Sequence, residues 1–229
     1  DIAIDDGSDV AKLQMGNVST ASSHPLTARS ITIGSDGTYF ATSGTTTVFN
    51  TAASSYAFNN AGTYTPNGGT LQIGNGTTPD GGATHIKSNN YHHLTINTGV
   101  SAPNGNVPWR PNSGTEVTIA GNLTVTKGRF YRNTSSNSLV VTGDVDIAAN
   151  GQVGTSAASG SNSFGGIKLA SGSKYLATSG TTTITNRFTG ESHLWKNDGG
   201  TFDHNNGTVK FNDNDHSAVK ENTFYNVEV

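Results

Sequence analysis

Cysteine is missing from this chain of 229 residues, so neither disulfides nor thiolate metal sites hold it together. Charged residues are few, at 13%, and sum to −3. The total shows no basic field of the kind that draws in nucleic acid, and not the strong acidity of a disordered tail. Apolar residues reach only 32%, against roughly 45–50% for globular domains with glycine counted in. No apolar run exceeds a few residues, which excludes a membrane-spanning helix. The opening "DIAIDDGSDVAK" has neither the basic start nor the apolar stretch of a signal peptide. Good helix formers are scarce too.

The chain is instead rich in glycine (29 residues), threonine, serine and asparagine. Thr, Val, Ile and Tyr suit a pleated, half-buried surface. Short alternations of Val, Ile, Leu and Phe with polar residues recur too regularly for disorder. The composition predicts an all-β fold.

Internal repeats define the organisation. "YFATSGTTTVFN" begins at Tyr39, and nearly the same phrase, "YLATSGTTTITN", begins at Tyr175. The match runs without a gap from Ser30–Asn50 to Gly166–Asn186. It resumes between "AGTYTPNGGTLQI" (Ala61–Ile73) and "GGTFDHNNGTVKF" (Gly199–Phe211), and again between "NNYHHLTI" (Asn89–Ile96) and "NTFYNVEV" (Asn222–Val229). The offset between the copies drifts slightly from block to block, as insertions in loops would produce. Residues 1–29 read as a lead-in, 30–97 as a first long repeat, 98–165 as a loop followed by coils, and 166–229 as a second long repeat. That second copy stops within a unit at Val229, leading us to expect further chain or a covering partner.

A shorter period lies between the two copies. Gly121, Gly143 and Gly165 recur at equal steps. Leu123, Val145 and Ile167 recur at the same step, as do Val125, Ile147 and Leu169. Each segment alternates apolar and polar residues, the period of a strand with one buried face. One coil cannot bury its own apolar face, but stacked coils place these residues in continuous core columns. The expectation is a parallel β-helix or β-solenoid with coils of about 22 residues, about ten of them in all, with irregular loop excursions. A set of β-sandwich repeats is the alternative. It is kept open by "VSAPNGNVPWRPNSG" (Val100–Gly114), read as a lateral excursion or as a joint between sub-arrays.

Candidate chemistry is sparse. His92 and His93 sit next to each other, so a regular strand points them to opposite faces, away from a shared metal. Asp213, Asp215 and His216 lack the rest of a calcium loop and read as solvated turns. Asp144 and Asp146, on one strand face within about 7 Å, have the separation of a glycosidase pair. They occupy the same outward positions as Asn122 and Thr124 one coil earlier. No catalytic motif, metal or cofactor is implied. Among the aromatics, Trp109, Tyr131 and Trp195 are the candidates for stacking on sugar rings if they face outward; packing inside the coils is the ordinary alternative.

The phrases "ATSGTTT", "GTFDHNNGTVKFNDND" and "NTFYNVEV" resemble a repeat of large β-rich structural proteins of tailed bacteriophage virions and of related secreted bacterial adhesins. The resemblance covers Ser30–Ile96 and Gly166–Val229. It implies a non-enzymatic fibre or decoration on a virion surface, alternatively an adhesin on a bacterial surface. A carbohydrate-active β-helix enzyme is the third reading. The expected partners are other virion proteins, further copies of the chain and host surface polysaccharide, without nucleic acid or membrane insertion.

Overall fold

The computed structural model describes residues 2–4, 12–14, 16–17, 20–49, 56–77, 85–111, 113–132, 134, 136–155, 158–213, 218–220 and 222–229. Among these the regular secondary structure is all strand, and nearly every pairing is parallel. The chain winds as a β-solenoid of about eight turns, roughly 23 residues apart. Parallel pairing between successive coils rules out the sandwich alternative.

The strands stack in three flanks. Flank I holds Ile2–Ile4, Ile31–Ile33, Tyr56–Asn60, His85–Lys87, Asn106–Arg110, the second halves of Leu123–Arg132 and Val145–Gly154, then Lys174–Leu176 and Thr201–Asp203. Flank II begins with Lys12–Gln14, Thr38–Phe40 and Thr63–Thr65. It continues as a second stack through Asn90–Tyr91, Glu116–Ile119, Ser138–Val141, Asn162–Phe164, Thr181–Ile184, Thr208–Phe211 and Asn226–Glu228. Flank III holds Leu26–Ala28, Thr45–Val48, Thr70–Ile73, His93–Asn97, the first halves of the two long strands, Ile167–Leu169, His193–Asn197 and Ala218–Lys220. Strands within residues 1–29 are thus already rungs of the stack.

The core columns fall where the short sequence period puts them. Leu123, Val145 and Ile167 are register partners in successive rungs, as are Val125, Ile147 and Leu169, and all six are fully buried. The first column extends upward through Leu94 and Leu71 and downward to Trp195. Turns number about eight rather than ten because some carry excursions. The turn that brings Ile31 to face Phe58 is longer than the one that brings Ile86 to face Trp109. Val100–Gly114 is neither a pure excursion nor a joint. Its first part leaves the stack and is tied back by Ala102 N–H donating to Asn150 O at 3.1 Å, while Asn106–Arg110 is an ordinary rung strand of flank I.

The recurring phrase is a corner. Tyr39 O–H meets Thr46 Oγ1 at 3.1 Å and Tyr175 O–H meets Thr182 Oγ1 at 2.9 Å, stapling two consecutive flanks from inside. The same corner requires glycine in the next coil. A Cβ on Gly69 would lie 2.1 Å from Thr42 O, and one on Gly207 equally close to Thr178 O. Ahead of them Asn67, Asn205 and Asn206 take positive φ, a conformation asparagine tolerates better than most residues. Aromatic packing is copied as well. Tyr39, Phe58, Tyr64 and Tyr91 form one ring cluster, and Tyr175, Trp195, Phe202 and Phe224 form its counterpart.

Yet the copies do not occupy equivalent sides. Ile31–Ile33, Thr38–Phe40 and Thr45–Val48 run through flanks I, II and III. Their equivalents Ile167–Leu169, Lys174–Leu176 and Thr181–Ile184 run through III, I and II. The second repeat is therefore rotated by one flank about the solenoid axis.

Candidate functional site

Two of the three aromatic candidates are withdrawn by their burial. Trp109 is 2% exposed and Trp195 fully buried. Trp109 stacks on Phe130 at 6.0 Å, and Trp195 packs against Phe202 at 4.7 Å. An inward indole in a solenoid gains more from filling the column than from waiting at a surface. Tyr131 alone faces outward, half-buried on flank I, with the Arg129 guanidinium 4.4 Å from its ring centroid.

The densest outward chemistry is a charged ladder on flank III. Asp146, Lys168, Lys196 and Lys220 are successive register partners, one per rung. Like charges stacked this closely repel, and carboxylates from the adjoining loops neutralise them. Lys196 Nζ donates to Glu191 Oε1 at 2.6 Å and lies 3.7 Å from Asp198. Lys168 reaches Glu191 at 3.5 Å, and Lys220 reaches Asp198 at 2.8 Å. These bonds hold the Glu191 and Asp198 carboxyls below the usual carboxylate range and raise Lys196. The ladder is self-contained.

The Asp144–Asp146 pair divides into two roles. Asp144 precedes its strand and is buried, and its Oδ2 accepts from Thr189 N–H at 3.0 Å. It anchors the loop that crosses Gly166, where a Cβ would come within 2.4 Å of Phe188 N. Asp146 points outward and half-buried. Burial pushes its carboxyl up, the Lys168 charge pulls it down, and Asp144 adds to the rise. An acid with a raised pKa beside a second carboxylate is what general acid catalysis requires. Here the second carboxylate is committed to a backbone N–H, so the equivalence of both residues to outward positions one coil earlier is corrected for Asp144.

The histidine pair also departs from the expectation. The His92 and His93 rings lie 4.4 Å apart because His92 occupies the corner between strands rather than a strand position. His93 Nδ1 accepts from Asn122 N–H at 2.9 Å. Burial, followed by the neighbouring His92 charge, holds its pKa below the ordinary 6.5. The folded state thus prefers the neutral ring. The contribution is complete above pH 6.5 and is lost as the pH falls through the lowered value. Thermal melts should show the midpoint dropping as the pH falls from 6.5 to the lowered value and levelling off below it. His93→Asn, which keeps an acceptor but cannot titrate, should flatten the dependence, and an unchanged slope would count against this role. Among the described residues no three His, Asp or Glu side chains converge as metal ligands. Asp213 is described, whereas Asp215 and His216 lie outside the described residues.

One buried group escaped the sequence reading. Arg132 continues the inward column of Ile86 and Trp109, is 5% exposed, and has no carboxylate beside it among the described residues. Its Nη2 donates to Asn162 Oδ1, Asn162 Nδ2 donates to the Tyr175 hydroxyl at 3.1 Å, and that hydroxyl meets Thr182. Trp109 lies 5.8 Å from the guanidinium carbon. Desolvation lowers the Arg132 pKa. Its inward position is hidden in the sequence because the register shift between Val125 and Lys127 reverses the alternation partway along the strand.

No family model matches the chain, no curated protein matches it, and no solved structure matches it.

Proposed function

We propose that this chain is a rigid, non-enzymatic segment of a surface structure, a virion fibre or decoration. The observation that supports this most is how the side chains are used. Inward residues build unbroken columns and two copied aromatic clusters, and the charges of the flank III ladder are bound to one another. Such a stack resists bending and is extended by adding rungs. The quoted phrases resembling phage structural repeats supply the particle setting, with other virion proteins and further copies of the chain as neighbours. An adhesin on a bacterial surface is the second reading, since the same phrases resemble adhesin repeats.

Immunogold labelling with an antibody to the purified chain separates the two. Label on purified phage particles is the expected result, and label confined to washed cells would favour the adhesin. A parallel assay addresses chemistry. Incubation with host capsular polysaccharide should release no new reducing ends, whereas depolymerisation abolished by Asp146→Asn would overturn the non-enzymatic reading.

A further inference from the structure

Flank I carries a charge that the total of −3 conceals. Its outward residues include Lys87 and Arg110, stacked in one column, and, in the column four residues earlier along the strand, Arg129 and, two rungs further, Lys174. The only carboxylate among its described outward strand residues is Asp203, in the last rung. Lys168, Lys196 and Lys220 of flank III, and Lys210 of flank II, are all in ion pairs. Lys87, Arg129 and Lys174 form none among the described residues. Arg129 and Lys174 flank Gln152 in a column that elsewhere holds Asn106 and Thr201. Neutral residues therefore satisfy the fold at these positions, and aligned cations add repulsion. Arg129 offsets some of it by donating its Nε–H to Gly154 O at 3.4 Å, whereas Lys174 makes no hydrogen bond or ion pair among the described residues.

We infer that flank I binds a linear acidic polysaccharide lying along the solenoid axis, across the rungs. Rungs repeat at about 4.8 Å, so Arg129 and Lys174 present charges roughly 10 Å apart. That spacing suits a polymer with a carboxylate or sulfate on alternate sugars. Tyr131, held under the Arg129 guanidinium at 4.4 Å, offers its ring edge and hydroxyl beside those charges. A nucleic acid is the poorer fit, because its phosphates are far denser along the axis than these cations, and a domain that binds it is usually strongly basic overall. The inference rests on the proposal that the solenoid stands exposed on a surface structure. Binding by the purified chain is nevertheless read independently of where that structure is located.

The test is biolayer interferometry with immobilised hyaluronate and chondroitin, which carry a carboxylate on alternate sugars, uncharged dextran as the blank and single-stranded DNA as the competing polymer. Binding to an acidic polysaccharide that weakens with salt is expected, with a loss of roughly tenfold or more in Lys87→Ser/Arg129→Ser/Lys174→Ser. The charge-matched control Lys168→Ser/Lys196→Ser/Lys220→Ser should retain it, each variant being checked by its thermal melt. Absence of binding to both polysaccharides, or an equal loss in the flank III control, would overturn the assignment. Tighter binding to DNA than to either polysaccharide would replace the ligand class. Failure of the particle labelling with binding intact would leave this site standing and remove only the virion setting.

Discussion

Val145→Asp should unfold the solenoid at its middle. Val145 is fully buried between Leu123 and Ile167, its register partners above and below. A carboxylate there finds no cation and no backbone donor left unpaired by the parallel ladder. An uncompensated buried charge costs roughly 3–5 kcal/mol, a large part of the about 5–15 kcal/mol that holds a domain folded. Protonation lessens the charge penalty but leaves a polar group in an apolar column. Val140→Asp is the matched control, because Val140 faces outward on flank II and is half-buried. Circular dichroism melts should show a loss of at least several kcal/mol for the first and a far smaller change for the second. Equal melting of the two variants would remove the inward column from the account of this fold.

The contrast between these two valines shows what is legible in the sequence. Alternation with glycine-marked corners identifies the strands from Leu123 to Leu169, because the turns there are short and the period steady. Excursions obscure the period elsewhere, so counting coils by length alone overshoots the number of turns. Trp109 is easily misplaced outward because "NVPWR" has no alternation to read: Val107, Pro108 and Trp109 are all buried. Arg132 escapes notice because the bulge after Val125 reverses which parity faces inward. The rotation of the second repeat by one flank is also hidden. The Tyr–Thr staple and the glycine approach join neighbouring flanks, and nothing in them specifies which two. The basic face of flank I is masked for a different reason: a net charge sums over the whole chain, and acidic residues elsewhere in the sequence cancel it.

A longer deletion should harm this protein less than a shorter one. Removing the segment from Leu123 through Asp144 takes out one complete turn and joins Asn122 to Val145. Leu94 then stacks on Val145, Ile96 on Ile147, Val107 on Val153 and Ile119 on Phe164, because each pair shares the removed rung as a common register partner. The clearest loss is at Asn162, which exchanges Arg132 for Val117 and keeps its bond to Tyr175, while Asn122 takes the place of Asp144 and brings an amide oxygen to Thr189 N–H in place of the carboxylate. One unmet polar atom costs about 1–3 kcal/mol, and the rest of the array remains a sum of rungs and nearest-neighbour contacts. Deleting Asp146 alone removes one outward residue from between Val145 and Ile147. A slip of one residue sends side chains to the opposite face, so either Val145 or Ile147 leaves its column or the strand tears from its neighbours on both sides. Withdrawing a large aliphatic side chain from a packed column costs roughly 2–5 kcal/mol. Thermal melts should therefore place the whole-turn deletion closer to the parent than the single-residue deletion, with one cooperative transition and a β-type spectrum. The reverse order would mean that the rungs are not interchangeable, and that the excursions rather than the columns decide how this chain folds.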